Sequence, residues 1–314
     1  MSPKALVFYL LFLSSWFGGF LVVPFVALLA WFGFVVPSAL LAVYAVARVL
    51  VPLREWAAFK SWSAFVAHDG ERGGYFDRYD LVLDDGVTHE ALATPGQRRL
   101  FGFHPHGILL CGWTMAIADA RTHAWRARWL AARLLTVMPF VAEWMCWVGV
   151  RPVAQIRRLM ARGDNIAMAV GGFEEATYYE YGRHKAFVRG RGGFVKFCLR
   201  HGYAIHPVYV FGEERTYRAL TVGLRFRLLL NRLRIPGVLF FGRWWCPLMP
   251  DPTARITVVV GAPLNAGKPP VDAPTAAMVS AAHAAYCAAL RSLFDKHKAK
   301  YAHEGQDAQL ELIE

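Results

Sequence analysis

From Ala5 to Ala47 the chain runs for 43 residues without a single charge. One transmembrane helix needs about 20 apolar residues, so this run is long enough for two. The apolar region of a secretory signal is only about 7–15 residues, which argues against that reading. Gly18, Gly19, Pro24, Gly33 and Pro37 interrupt the run, and one of them is expected to mark a turn or kink. Lys4 precedes it, and Arg48 and Arg54 follow. Positive residues at both ends favour both ends on the cytosolic side. The expectation is therefore a hydrophobic membrane hairpin over residues 1–50, either two spans or re-entrant. The alternative is one long tilted span with the remainder lumenal.

The remainder is not an ordinary soluble chain. Hydrophobic residues make up 56% of the whole, mean hydropathy is +0.30, and the formal net charge is +12. Disorder is excluded, because disordered chains are poor in apolar residues. The pairing of apolar and basic character points to a bilayer and an anionic partner. Thirteen basic residues lie between Arg183 and Arg243 (among them Lys185, Arg189, Arg191, Lys196, Arg200, Arg227 and Arg234), against two acids, Glu213 and Glu214. A polyphosphate such as coenzyme A, or anionic headgroups, suits such a stretch. No nucleic-acid module is recognisable, and nucleic acid is not expected as a partner. Five scattered cysteines without a CxxC pair read as reduced, mostly buried thiols rather than a disulfide framework.

Downstream of residue 50, short apolar runs alternate with helical stretches. Leu100–Phe103, Ile166–Val170, Ala204–Phe211, Val238–Phe241 and Ile256–Val260 read as strands. Trp56 to Phe65, Leu109–Arg121 and Gly193–His201 read as helices, and Thr275 as the N-cap of a long Ala-rich one. Such alternation predicts an α/β domain over 51–303, with a mostly parallel sheet flanked by helices. Residues 304–314 read as a loose polar C-terminal tail.

The strongest chemical signal is Phe101-Gly-Phe-His-Pro-His-Gly107, where an apolar strand runs into His104-Pro105-His106-Gly107 and then a helix. Pro105 fixes the backbone there, and Gly107 allows close approach of a substrate. An imidazole so placed serves as a general base near neutral pH. Two other readings compete: a metal pair lacking an evident third ligand, and structural histidines. The second signal is Val170-Gly171-Gly172-Phe173-Glu174-Glu175, a buried strand ending in two glycines and two carboxylates. A carboxylate beside imidazole orients its tautomer; alternatively the acids simply complement a helix N-terminus. G-x-S-x-G and Walker A motifs are absent, Val195 spoils the dinucleotide-like Gly190, Gly192, Gly193, and no histidine is followed five positions later by aspartate.

Together these blocks resemble the type-2 diacylglycerol acyltransferase family, which includes monoacylglycerol and wax-alcohol acyltransferases. His104-Pro-His-Gly107 is similar to its HPHG signature, and Gly171-Gly-Phe-Glu-Glu175 to its Gly-Gly-x-x-Glu block. Arg191-Gly-Gly-Phe-Val-Lys196 through Arg200-His-Gly202, Pro207-Val-Tyr-Val-Phe-Gly-Glu213, Phe241-Gly-Arg243, Thr257 to Pro263 and Leu293 to Lys298 follow in the family's order. The resemblance covers about Leu100 to Lys300. Gly192, where the family has lysine, and Phe173-Glu174, in place of two small residues, depart from it and bear on acceptor preference.

The resemblance implies an endoplasmic reticulum membrane enzyme with a cytosolic catalytic domain. It would move a fatty acyl group from acyl-CoA to a neutral lipid acceptor, diacylglycerol first, with monoacylglycerol or a wax alcohol as alternatives. His106 is the first choice of base with His104 as its positioning partner, or the reverse; Glu175 would orient the imidazole. Pro105, Gly107, Gly171 and Gly172 would line the substrate site, and Arg191, Lys196 and Arg243 are candidates for the CoA phosphates. No metal or other cofactor is expected; acyl-CoA is the co-substrate. Two readings from other classes stay open: a non-catalytic lipid-binding membrane protein, and a membrane metal hydrolase using the His-x-His pair.

Overall fold

The computed structural model describes residues 1–69, 72–233 and 237–313. Arg234 lies outside them, as does the side chain of Phe173. Nine strands carry the argument: β1 Arg78–Leu83, β2 Arg99–His104, β3 Arg128–Ala131, β4 Val150–Pro152, β5 Ile166–Ala169, β6 His184–Phe187, β7 Ala204–Phe211, β8 Arg255–Val260 and β9 Leu310–Ile313. Seven of them form one sheet in the order β1-β8-β7-β2-β5-β3-β4. All its pairings are parallel except β8 with β7. β6 and β9 pair parallel as a separate two-stranded sheet.

The central strands are buried on both faces, as expected of a parallel sheet covered by helices. Along β2, Phe101 and Phe103 face one apolar cluster with Trp125 and Trp129, while Leu100 faces a second with Tyr209, Tyr286 and Phe294. The period-2 alternation of a strand separates them. Phe101 is stacked between Trp125 and His206, at 4.7 and 5.0 Å.

The N-terminal run forms two helices, α1 Pro3–Trp31 and α2 Val35–Leu50, joined through Phe32–Phe34. The turn falls at Gly33, whose positive φ of 82° suits glycine. By length and composition α1 is long and apolar enough to cross a membrane. Its first half nevertheless belongs to the globular core: Ala5, Tyr9 and Leu13 are buried, and Tyr9 stacks on Tyr75 at 4.0 Å. The second half of α1 and all of α2 present Phe20, Leu21, Phe25, Leu28, Trp31, Val35, Leu40 and Val43 outward. An all-apolar sequence hides this division, because an exposed apolar side chain and a buried one read alike.

Other expectations divide. The helix Gly193–His201 and β7 have the expected bounds, and Thr275 caps Ala276–Tyr301 by accepting from the Met278 N–H at 3.2 Å. Leu109–Arg121 resolves into α3 Cys111–Ala118 and a short helix Ala120–His123. Val238–Phe241 is corrected: only Phe240–Phe241 is extended, and it pairs with Arg218–Ala219 outside the main sheet. The loose tail is corrected as well, because Leu310 and Leu312 are buried in β9.

Candidate active site

β5 and β7 flank β2 and all three run parallel, so their carboxyl ends open on one edge of the sheet. Ligands of open α/β sheets bind outside that edge. β2 delivers His104-Pro105-His106-Gly107, with a cis His104–Pro105 peptide. β5 delivers Gly171 and the short helix Gly172–Thr177 with Glu174 and Glu175. β7 delivers Gly212 and Glu213.

His104 closes β2 on the face opposite Phe103 and is wholly buried. Its Nδ1 lies 3.3 Å from Glu175 Oε1. The same oxygen accepts the Phe187 backbone N–H at 3.0 Å. With Nδ1 committed to the carboxylate, the proton is held there and Nε2 is left as the acceptor nitrogen. That Nε2 is buried and has no protein partner among the described residues. Gly171 permits this arrangement, since an added Cβ would overlap the Glu175 carboxylate.

His106 is turned elsewhere. It is half-buried, and its Nδ1 lies 3.1 Å from the Gly107 carbonyl. Burial pulls its pKa below the ordinary histidine value, opposed by the charges of Glu175 and Glu174.

Glu213, which the sequence offered as one of two acids in the basic stretch and as the end of a resemblance block, proves central. It is buried and accepts the N–H groups of Cys111 at 3.0 Å and Gly112 at 2.7 Å, the first amides of α3. Burial pushes its pKa up to about 8. The carboxylate also lies directly under Gly107, whose φ is +61° and whose added Cβ would overlap Glu213. The signal was present: a buried strand, then glycine, then acid, the same pattern that singled out Glu175. Gly107→Ala is expected to cost about 1–3 kcal/mol through overpacking and the left-handed backbone. Thermal unfolding in detergent checks this; an unchanged midpoint contradicts the packing.

The basic candidates scatter. Arg191 comes to the site, but it is ion-paired with Glu174 and donates to the Gly171 carbonyl at 3.3 Å. Lys196 stands exposed on its helix, without an ion pair among the described residues. Arg243 lies over the Trp245 ring and against Met1. Arg227 is buried, donating to the Gly237 and Thr177 carbonyls, and Lys185 is paired with Glu180. The sequence count thus overstates the free cationic surface, because several of these charges satisfy buried carbonyls or carboxylates. Among the described residues, the grouping able to hold a metal is His184, Glu214 and Glu304, not the His104/His106 pair. All five cysteines are free thiols, with Cys111 and Cys198 buried.

A buried histidine–glutamate pair thus stands at the carboxyl edge of a mostly parallel sheet, in an α/β chain that also carries an apolar helix long enough, by length and composition, to cross a bilayer. The family profile described as diacylglycerol acyltransferase matches residues 75–313, and the chain belongs to that family. It is 31% identical over 238 residues to diacylglycerol O-acyltransferase 2 of Xenopus tropicalis, covering 68% of this chain and 64% of that protein. The human protein of the same name is 30% identical over 241 residues, covering 68% of this chain and 60% of its own length. Human acyl-CoA wax alcohol acyltransferase 2 is 28% identical over 288 residues, covering 81% and 84%. No solved structure matches.

Proposed function

We propose that the protein is an acyl-CoA-dependent O-acyltransferase that esterifies the hydroxyl of a neutral glycerolipid, converting diacylglycerol to triacylglycerol. The observation that carries this reading is the unpartnered Nε2 of His104, set by the Nδ1–Glu175 contact at 3.3 Å. The relatives' names supply the substrate class.

In this reading His104 Nε2 takes the acceptor's hydroxyl proton as the oxygen attacks the thioester carbonyl. Glu175 holds the tautomer and stabilises the imidazolium. Backbone N–H groups around Gly107 face the oxyanion; those of Cys111 and Gly112 are already taken by Glu213. Collapse breaks the C–S bond, and His104 returns the proton to the CoA sulfur. No metal or ATP is required. His106, kept neutral by burial, is the positioning partner. Of the three candidates for the CoA phosphates, Lys196 is the one without an ion pair or ring contact among the described residues, while Arg191 steadies Glu174.

The α1–α2 pair acts as a re-entrant membrane hairpin. At 1.5 Å per residue, the 16 residues of α2 reach about 24 Å, short of the roughly 30 Å hydrocarbon core. Both its ends then stay on the cytosolic face of the endoplasmic reticulum with the catalytic domain. An apolar pocket between α1 and α3, lined by Phe8, Tyr9, Phe12, Trp113 and Ile117, offers an acyl chain a seat near the helix that follows Gly107.

The test is an assay of purified membranes with labelled acyl-CoA and a panel of diacylglycerol, monoacylglycerol and long-chain alcohol, read by product mass. Triacylglycerol is expected as the main product. A main product of wax ester moves the acceptor assignment, and no ester with any alcohol overturns the activity.

A further inference from the structure

We propose that the final strand, β9, is a positioning element for the catalytic carboxylate, acting through β6. This rests on the reading that Glu175 orients His104. β6 stands apart from the main sheet, and its strand neighbour is β9, in the register Leu310↔His184 to Ile313↔Phe187. The far end of β6 supplies the Phe187 N–H that fixes Glu175 Oε1 at 3.0 Å. Immediately beyond it, the N–H groups of Val188 and Arg189 both donate to the Ile313 carbonyl at 3.1 Å. β9 therefore grips the chain on the residues flanking the anchor. Apart from His104 itself, the Phe187 N–H is the hydrogen-bond partner of this carboxylate among the described residues, and its second oxygen, Oε2, is buried without one.

The near end of β6 is clamped too. His184, which opens the strand, lies 3.2 Å from Glu304 and 3.1 Å from the Tyr209 hydroxyl, and Glu304 is ion-paired with Arg215. Leu310 and Leu312 anchor β9 in the cluster that also contains Tyr286 and Phe294. A two-stranded pair is marginal alone, so β6 depends on β9 and this apolar seat for its place. Without β9 the Phe187 amide drifts, Glu175 gains freedom, and the His104 ring is no longer fixed. A displacement of about 1 Å at a catalytic group costs on the order of 10²-fold.

The 314-residue chain in membranes is compared with a chain ending at Gln309, with Leu312→Ala, and with Leu312→Ile. Turnover is expected to fall about 10–100-fold in the truncated chain and less in Leu312→Ala, with KM for acyl-CoA unchanged and Leu312→Ile near wild type. Each change is then repeated in a Glu175→Gln background, where it is expected to have no further effect, because contacts acting through one group are not additive. Additive losses there, or a KM change in place of a kcat change, overturn the positioning role while leaving the Glu175 reading intact. Wild-type turnover in Glu175→Gln alone overturns that reading, and this inference with it. If the truncated chain does not fold, Leu312→Ala and its cycle decide: wild-type kcat in that variant counts against the proposal.

Discussion

His104→Ala is expected to lower acyl transfer by about 10²–10⁴-fold while leaving membrane integration and the unfolding midpoint little changed. The range follows from what a positioned general base contributes. Its upper part is reached when the base is also pre-oriented, as the Nδ1–Glu175 contact at 3.3 Å provides. Glu175→Gln should lose nearly as much. A glutamine retains an oxygen for the Phe187 N–H but has no negative charge to stabilise the imidazolium. His106→Ala should cost less and act partly through KM, since its Nδ1 engages only the neighbouring Gly107 carbonyl. Kinetics of the three variants, with membrane content quantified, settle the order. If His106→Ala abolishes turnover and His104→Ala retains it, the roles reverse, and the His104–Glu175 pair becomes structural.

The part of this site that sequence could not resolve was which histidine meets the acid. His104-Pro-His106 places two imidazoles within three residues, and spacing treats them alike. Strand periodicity discriminates between them. His104 lies on the Leu100–Gly102 face of β2, the face covered by Tyr286, with ring centroids 6.0 Å apart. His106 falls after the strand has ended. The strands β2, β5, β7 and β8 were legible because burial on both faces leaves continuous apolar runs, closed by glycine after β5, β7 and β8. β6 and β9 were not: His-Lys-Ala-Phe and Leu-Glu-Leu-Ile carry charges, and only their pairing makes them strands. Val238–Phe241 shows the converse, an apolar run that stays outside the sheet, with Leu239 and Phe241 exposed.

Stability is expected to fall as pH rises from about 6.5 to 8, and Glu213→Gln should remove most of that slope. Burial raises the Glu213 pKa to about 8 in the fold, against 4.5 for a free glutamate. Below 4.5 both folded and unfolded chains hold the proton, and the contribution is fully present. Between the two values the folded chain keeps a proton that the unfolded chain has released, so rising pH favours unfolding. Above about 8 both have released it, and the contribution is gone. Buried Glu214, also raised by burial, acts with the same sign. His206, lowered by burial to about 4, and His106, also lowered, oppose it most strongly below the ordinary histidine value of 6.5. Their opposition fades over about one pH unit above that value, and beyond it the carboxyls dominate this set. One proton gives about 1.4 kcal/mol per pH unit, or roughly 2 kcal/mol from 6.5 to 8. The measurement is denaturant unfolding in detergent across that window, for wild type and Glu213→Gln. Parallel profiles would remove Glu213 as the source. A flattened variant profile would mean that the group beneath Gly107 is protonated in the working enzyme, so that rising pH places a charge directly under the HPHG turn.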